Sequence, residues 1–416
     1  GEFAIEIEQS VPPTPSESRK RLMHIPLAFG LVGADGRDLA YESVEGATIE
    51  NSVIHVRKRR HSIRFSGIAE RPALSLNRGF SAPITLSVEQ KTEDRIFLSG
   101  HDSDPVARWQ AFNTLLTEAL IAASRQIRGG KRPDFSGRLS VLARQIATDE
   151  ALEQAYRALA LALPGEADIA REIGNDIDPD AVLAAREALA KRIAEENGPS
   201  LRDLYERLRD NGEFSPDAAG AGRRALRNAL LDYLALLTDG ASLAADHFRL
   251  AANMTDRAAA LTVLAHRHAG TPQATEALAA FEARYANDPL VMDKWFLVQA
   301  SVPGDQTVEA VRRLTSHSGF SMSNPNRVRA LVGTFANANQ TGFHRADGEG
   351  YRFFAEMVLE AERRNPQLAA RLATAMRSWR SLEAGRRDKA RATLLAISGT
   401  EGLSTDLRDI VERMLA

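Results

Sequence analysis

A chain of 416 residues is long for a single hydrophobic core, so two or more domains are expected. A formal net charge of −2 gives no global pull toward nucleic acid or an anionic membrane. The absence of cysteine excludes disulfides, thiolate metal ligands and a thiol nucleophile, and agrees with a reducing cytoplasm, the expected location.

The chain opens GEFAIEIEQS, without methionine. Gly1-Glu2-Phe3 reads as a cloning scar, and the whole as a piece of something longer. Residues 1–99 read as β. FAIEIEQS (3–10) alternates apolar and polar residues as a half-buried strand does, and IPLAFGLV (25–32), SVIHVRK (52–58), HSIRFSG (61–67), PALSLNR (72–78), PITLSVE (83–89) and DRIFLSG (94–100) follow. ADGRD (34–38) carries a hairpin-type turn signal, and the proline-rich VPPTPSES (11–18) belongs in a loop. About seven short strands predict an immunoglobulin- or fibronectin-like β-sandwich over residues 1–99.

At His101-Asp102-Ser103-Asp104-Pro105 the apolar period changes from 2 to 3.6, and the rest of the chain is rich in Ala, Leu and Arg. Seven times a capping residue precedes proline: Asp104-Pro105, Asp178-Pro179, Ser215-Pro216, Thr271-Pro272, Asp288-Pro289, Asn324-Pro325 and Asn365-Pro366. Each predicts a helix start, because proline at the first helical position lacks an N–H that would have no partner there. Roughly sixteen helices in series predict a second domain over 100–416, an irregular α-solenoid of the HEAT or armadillo kind.

Chemistry is sparse. None of the nine histidines precedes a glutamate and no two lie four apart, so the H-E-x-x-H helix of zinc peptidases is absent. His266 and His268, two apart on a helix, point about 200° apart. A metal shared by His55 and His61 is the weaker reading of a basic turn. No phosphate-cradling glycine loop and no G-x-S-x-G elbow occurs. The run Arg57-Lys58-Arg59-Arg60-His61 reads as a solvated hairpin tip, since residues 1–99 carry thirteen basic and thirteen acidic side chains. FHRADGEGYRFF (343–354) sets His344, Asp347 and Glu349 around two glycines. The structural reading makes Asp347 the cap of a helix starting near Gly350, with Tyr351, Phe353 and Phe354 buried; the competing one makes His344 and Asp347 the centre of a hydrolase.

HIPLAFGL (24–31), LNRGFSAPITL (76–86), HDSDPVARWQA (101–111), DIDPDAVLAAREAL (176–189), NMTDRAAALTVL (253–264), DPLVMDKWFLVQA (288–300), FSMSNPNRVRALVGTF (320–335) and FHRADGEGYRFFAEMV (343–358) run in order along nearly the whole chain. Together they resemble the C-terminal part of bacterial aminopeptidase N, the zinc aminopeptidase of the gluzincin class. The resemblance implies a small β-sandwich and a helical superhelix that follow a catalytic domain. The zinc ligands, the general-base glutamate and the Gly-x-Met-Glu-Asn motif of that domain have no counterpart here, so this chain alone is expected to be inactive and to hold no zinc. It implies a wall that packs on the chain's own catalytic domain, encloses the chamber and gates entry of peptide substrates, with no nucleic-acid or membrane partner. An exposed apolar patch is expected where the missing domain would sit.

Two first-turn arginines after Asn324-Pro325, Arg327 and Arg329, oppose the helix dipole, which is cheaper if a carboxylate lies opposite. A partner helix or a peptide substrate would supply it; Arg371, six residues after Asn365, is a further candidate. The resemblance moves Arg329 and Arg371 toward the chamber wall. Trp295, Phe296 and Trp109 are expected to be packing residues. The alternative to the family reading is a free-standing helical-repeat scaffold that binds a protein or peptide on its concave face.

Overall fold

A computed structural model describes residues 1–210 and 212–416. Cα packing divides them into two compact units, Gly1–Glu118 with Val141–Asp149, and Ala119–Ser140 with Glu150–Ala416.

The first unit begins with seven strands: β1 (Glu2–Glu8), β2 (Ile25–Val32), β3 (Ser43–Glu45), β4 (Ile49–Glu50), β5 (Val53–Val56), β6 (Arg60–Ser66) and β7 (Ala73–Leu76). They form a three-stranded sheet, β1-β6-β3, and a four-stranded sheet, β4-β5-β2-β7, with every pairing antiparallel. Because side chains alternate along each strand, Ile5, Ile63 and Phe65 of one sheet meet Leu27, Phe29, Leu31, Ile54 and Val56 of the other in a single apolar core. Glu6 and Arg64, one residue out of phase, face outward.

Two of the expected strands are not strands. PITLSVE (83–89) runs without regular structure, and DRIFLSG (94–100) lies inside a helix, Thr92–His101. Ile96-Phe97-Leu98 is three apolar residues in a row, which fits no alternation. Glu93 and Asp94 sit in the first turn, where the helix dipole favours them, and Leu98 packs with Val32 and Ala73. The short β3 and β4 escaped the pattern because two or three residues cannot show a period. The ADGRD turn is real: Gly33 N donates to Arg37 O at 2.8 Å and Gly36 has φ +82°. It leads only to a single bridge, Val32 to Asp38.

Eighteen α-helical segments follow residue 101 among the described residues. Six of the seven cap–proline pairs start a helix. Asp178, Thr271, Asp288, Asn324 and Asn365 each accept backbone N–H groups of the first turn, and Asp104 Oδ1 accepts from Ala107 N at 2.8 Å. Ser215-Pro216 does not. There the helix Ala218–Leu234 is capped by Asp217, which accepts from Gly220 N at 2.6 Å and holds the Ser215 hydroxyl, a carboxylate being the stronger acceptor.

In the second unit, helices pack mainly on their sequence neighbours, as Met254–Arg267 does on Gly240–Leu250 and Pro272–Tyr285, the order expected of a solenoid. Some helices distant in sequence also pack, as Gln154–Leu161 does on Ala218–Leu234, and polar bonds add to such ties. Tyr233 Oη donates to Leu161 O at 2.7 Å, and Asn197 Nδ2 donates to Ser140 O at 3.1 Å. Among the described residues no helix is long and apolar enough to cross a membrane.

Candidate functional site

The candidate arginines lie on a helix with an uneven ladder. Pro325–Val328 is α-helical, Arg329–Gly333 is a π-helical turn, and Thr334–Ala338 is α-helical again. Such wide turns recur at functional sites. Asn324 Oδ1 accepts from Asn326 N and Arg327 N, at 3.0 and 3.3 Å, so both arginines enter in the first turns as the capping pattern requires.

Their environments then diverge. Arg327 is buried: its Nε donates to Asp293 Oδ1 at 2.6 Å, its Nη2 to Pro289 O at 3.1 Å and its Nη1 to Gly319 O, while the guanidinium lies 4.8 Å from the Phe296 ring centroid. A partner helix supplies its carboxylate, so this guanidinium is spent inside the protein and does not face a channel. Arg329 is exposed, donates to Asn326 Oδ1 at 2.9 Å, and makes no ion pair among the described residues. Arg371 is exposed in the last turn of Pro366–Ala373, again without an ion pair among the described residues. The two helices are neighbours: a Cβ added at Gly333 would lie 3.8 Å from Leu372 Cδ2. Arg329 and Arg371 therefore stand on adjacent elements, and a guanidinium is a suitable partner for a carboxylate or a backbone carbonyl.

FHRADGEGYRFF disperses its polar groups. His344 is buried, its Nδ1 2.9 Å from Tyr351 Oη; burial and, less so, the charge of Arg386 push its pKa down to about 3. Asp347 is gripped by Arg345 at 2.9 and 2.8 Å, which lowers its pKa to about 2, and it accepts from Glu349 N at 2.9 Å. The helix starts at Glu349, behind Gly348 at φ +80°, one residue earlier than expected. Glu349 turns to Arg312 and Arg352. The imidazole and the two carboxylates face three different ways, and among the described residues no group of three or more His, Asp or Glu could hold a metal ion. Phe343, Tyr351, Phe353 and Phe354 are fully buried.

Behind this stretch lies a polar knot that no local pattern signals. Arg386, buried, donates from Nε to His344 O, from Nη2 to Asp180 Oδ2, and from Nη1 to Asp178 and Glu383 at 3.4 and 3.3 Å. Ile177 pairs with Leu382 beside it, with Ile177 N donating to Ser381 O at 3.0 Å and Glu383 N to Ile177 O at 2.9 Å.

The other histidines separate as well. His55 meets His24, ring nitrogens 2.9 Å apart, and not His61. His61 is buried and accepts from Arg57 N and Lys58 N, both at 3.1 Å, pinning the base of the exposed basic turn 57–60. His266 is held by Val298 O and Ser301 Oγ, and burial lowers its pKa. Trp295 is buried with its indole N–H on Leu278 O at 3.0 Å, Phe296 is fully buried, and Trp109 is half-buried.

Comparison with known proteins matches both parts. Residues 1–89 match a family model described as "Domain of unknown function (DUF3458) Ig-like fold", and residues 92–416 one described as "Domain of unknown function (DUF3458_C) ARM repeats". Aminopeptidase N of Caulobacter vibrioides is 39% identical over 393 residues, 93% of this chain and 44% of that protein. Aminopeptidase N of Escherichia coli is 33% identical over 419 residues, 100% of this chain and 47% of that protein. The crystal structure of Legionella pneumophila aminopeptidase A in complex with aspartic acid aligns with a TM-score of 0.84 at 25% identity, covering 100% of this chain and 47% of that one. The chain thus spans under half the length of the relatives it matches. An Ig-like sandwich followed by armadillo-type helices, similar in order and sequence to the C-terminal part of aminopeptidase N, places the chain in the DUF3458 family.

Proposed function

We propose that the chain is the non-catalytic C-terminal part of a zinc-dependent aminopeptidase that removes N-terminal residues from peptides. In this reading it packs on the catalytic domain, closes the active-site chamber and gates the entry of peptides, in the cytoplasm. Zinc and the groups that activate water belong to the domain it covers. Arg329 and Arg371 stand on the chamber wall and take the C-terminal carboxylate or backbone carbonyls of the peptide; Arg327 holds the helix of Arg329 in place through Asp293. The observation that carries the reading is the in-order similarity of the whole chain to the C-terminal part of aminopeptidase N. Two exposed arginines without an ion pair among the described residues, on a π-helical turn and the helix next to it, support the assignment of the wall.

The test uses the full-length protein encoded with this segment. Replacing Arg329 and Arg371 by alanine is expected to raise KM several-fold for a tetrapeptide with a free C-terminus and to leave hydrolysis of an aminoacyl-anilide, which has no such carboxylate, unchanged. Equal effects on both substrates, or none on either, refute the wall assignment. An upstream reading frame without an H-E-x-x-H motif refutes the enzyme.

A further inference from the structure

Three consecutive helices of the second unit, Gly240–Leu250, Met254–Arg267 and Pro272–Tyr285, line a cavity of about 460 Å³. Its lining includes three arginines, Arg249, Arg257 and Arg284, and no Asp or Glu. Arg257 is the unusual one. It is 9% exposed, and among the described residues it makes no ion pair. Its Nη1 donates to Tyr285 Oη at 2.9 Å and its Nη2 to Ala251 O, the carbonyl just past the helix Gly240–Leu250. That carbonyl supplies only the partial negative charge of a helix end. A desolvated guanidinium without a full counter-charge is an expensive arrangement, and a carboxylate or phosphate oxygen is its natural complement.

The nearest acidic neighbour in sequence does not serve. Asp256 accepts from Asn228 Nδ2 at 3.0 Å and from Asn253 Nδ2 at 2.9 Å, and makes no ion pair with Arg257. The two hydrogen bonds of Arg257 use two of its five N–H groups. At the rim, Arg284 lies 5.6 Å from the Tyr285 ring centroid and is exposed. Arg249 has only an exposed partner three residues back, Asp246, at 2.9 Å. Surface pairs of that kind hold loosely and exchange readily for a better anion. Phe248 and Phe281 give the cavity an apolar side.

We propose that this cavity binds a small multivalent oxyanion, a phosphate or a di- or tricarboxylate. Arg257, steadied by Tyr285, holds one oxygen group at the buried end, and Arg249 and Arg284 close over the remaining charge at the mouth. The volume suits a small molecule and not a length of polypeptide. Three cations call for an anion of charge two or more, so chloride is a poor substitute.

Calorimetric titration of the full chain at low ionic strength with inorganic phosphate and with citrate tests this, with chloride at matched ionic strength as control. Saturable one-to-one binding of phosphate or citrate is expected, and the R249A/R284A variant should weaken it about tenfold or more. Both substituted residues are exposed, so the melting temperature without ligand should stay unchanged. Tighter phosphate identifies a phosphoryl ligand and tighter citrate a polycarboxylate; either upholds the site. No saturable binding to either anion overturns it, and so does binding that the double variant leaves intact.

Discussion

The imidazole of His344 makes the fold acid-sensitive in a way that one substitution can isolate. In the folded chain it stays neutral down to about pH 3, because burial and the charge of Arg386 oppose the imidazolium. In the unfolded chain it takes up a proton near the ordinary value of about 6.5. Between these two pH values the unfolded state holds the extra proton, so stability falls as the solution is acidified. Each unit below the unfolded pKa costs about 1.4 kcal/mol, which gives a loss of about 2 kcal/mol between pH 6.5 and 5.0 from this residue alone. His344→Asn keeps an acceptor for the Tyr351 hydroxyl but cannot titrate. Urea midpoints of both proteins at pH 7.0, 6.0 and 5.0 are the assay. The parent should lose about 2 kcal/mol more than the variant by pH 5.0, and the two should converge as pH falls. Burial lowers the His266 pKa in the same direction, but that slope is common to both proteins and cancels in the difference. Parallel pH profiles would refute the claim that His344 is buried in the neutral form.

Two further outcomes bear on the same region. Arg386→Met strips Asp178, Asp180 and Glu383 of their shared guanidinium and should destabilise the chain by about 3 kcal/mol, the lower end for a broken buried pair because these carboxylates are partly exposed; a change below about 1 kcal/mol in the urea midpoint would show that the knot contributes little. A Cβ at Gly350 would sit 2.3 Å from Phe343 O, so Gly350→Ala should cost about 2–3 kcal/mol, whereas Gly100→Ala, in a helix with nothing within 4 Å of the added carbon, should stabilise by about 0.5–1 kcal/mol in the same measurement.

Caps were the most legible feature of the sequence because a cap is chemistry between residues two or three apart. Asp288 and Asn324 hold the N–H groups that their spacing predicts. The one failure, Ser215-Pro216, is a competition lost to a carboxylate two residues on. Alternation served the long strands equally well: IPLAFGLV is β2 to the residue. It misled at DRIFLSG, where apolar residues abut without alternating. The signal for a helix there is its acidic first turn, Glu93 and Asp94.

What the sequence withheld is partnership at a distance. Arg327 and Arg329 are two residues apart on one helix with the same first-turn charge penalty, and nothing local separates them. Asp293, 34 residues away, turns the first into an internal strut, and its absence leaves the second exposed. Arg386 is a stronger case, for two of its three carboxylates stand 206 and 208 residues earlier, in a helix cap and first turn whose local role already accounted for them. Asp178 serves both needs, accepting the N–H of Asp180 while one of its oxygens also meets the guanidinium. A residue that satisfies a local rule and a distant one together gives no sign of the second. This is also why a solenoid read only from its helix starts yields the order of its helices and not which of its many arginines remain free. Arg329 and Arg371 are two such groups, and a guanidinium without a carboxylate among the described residues has binding capacity to spare.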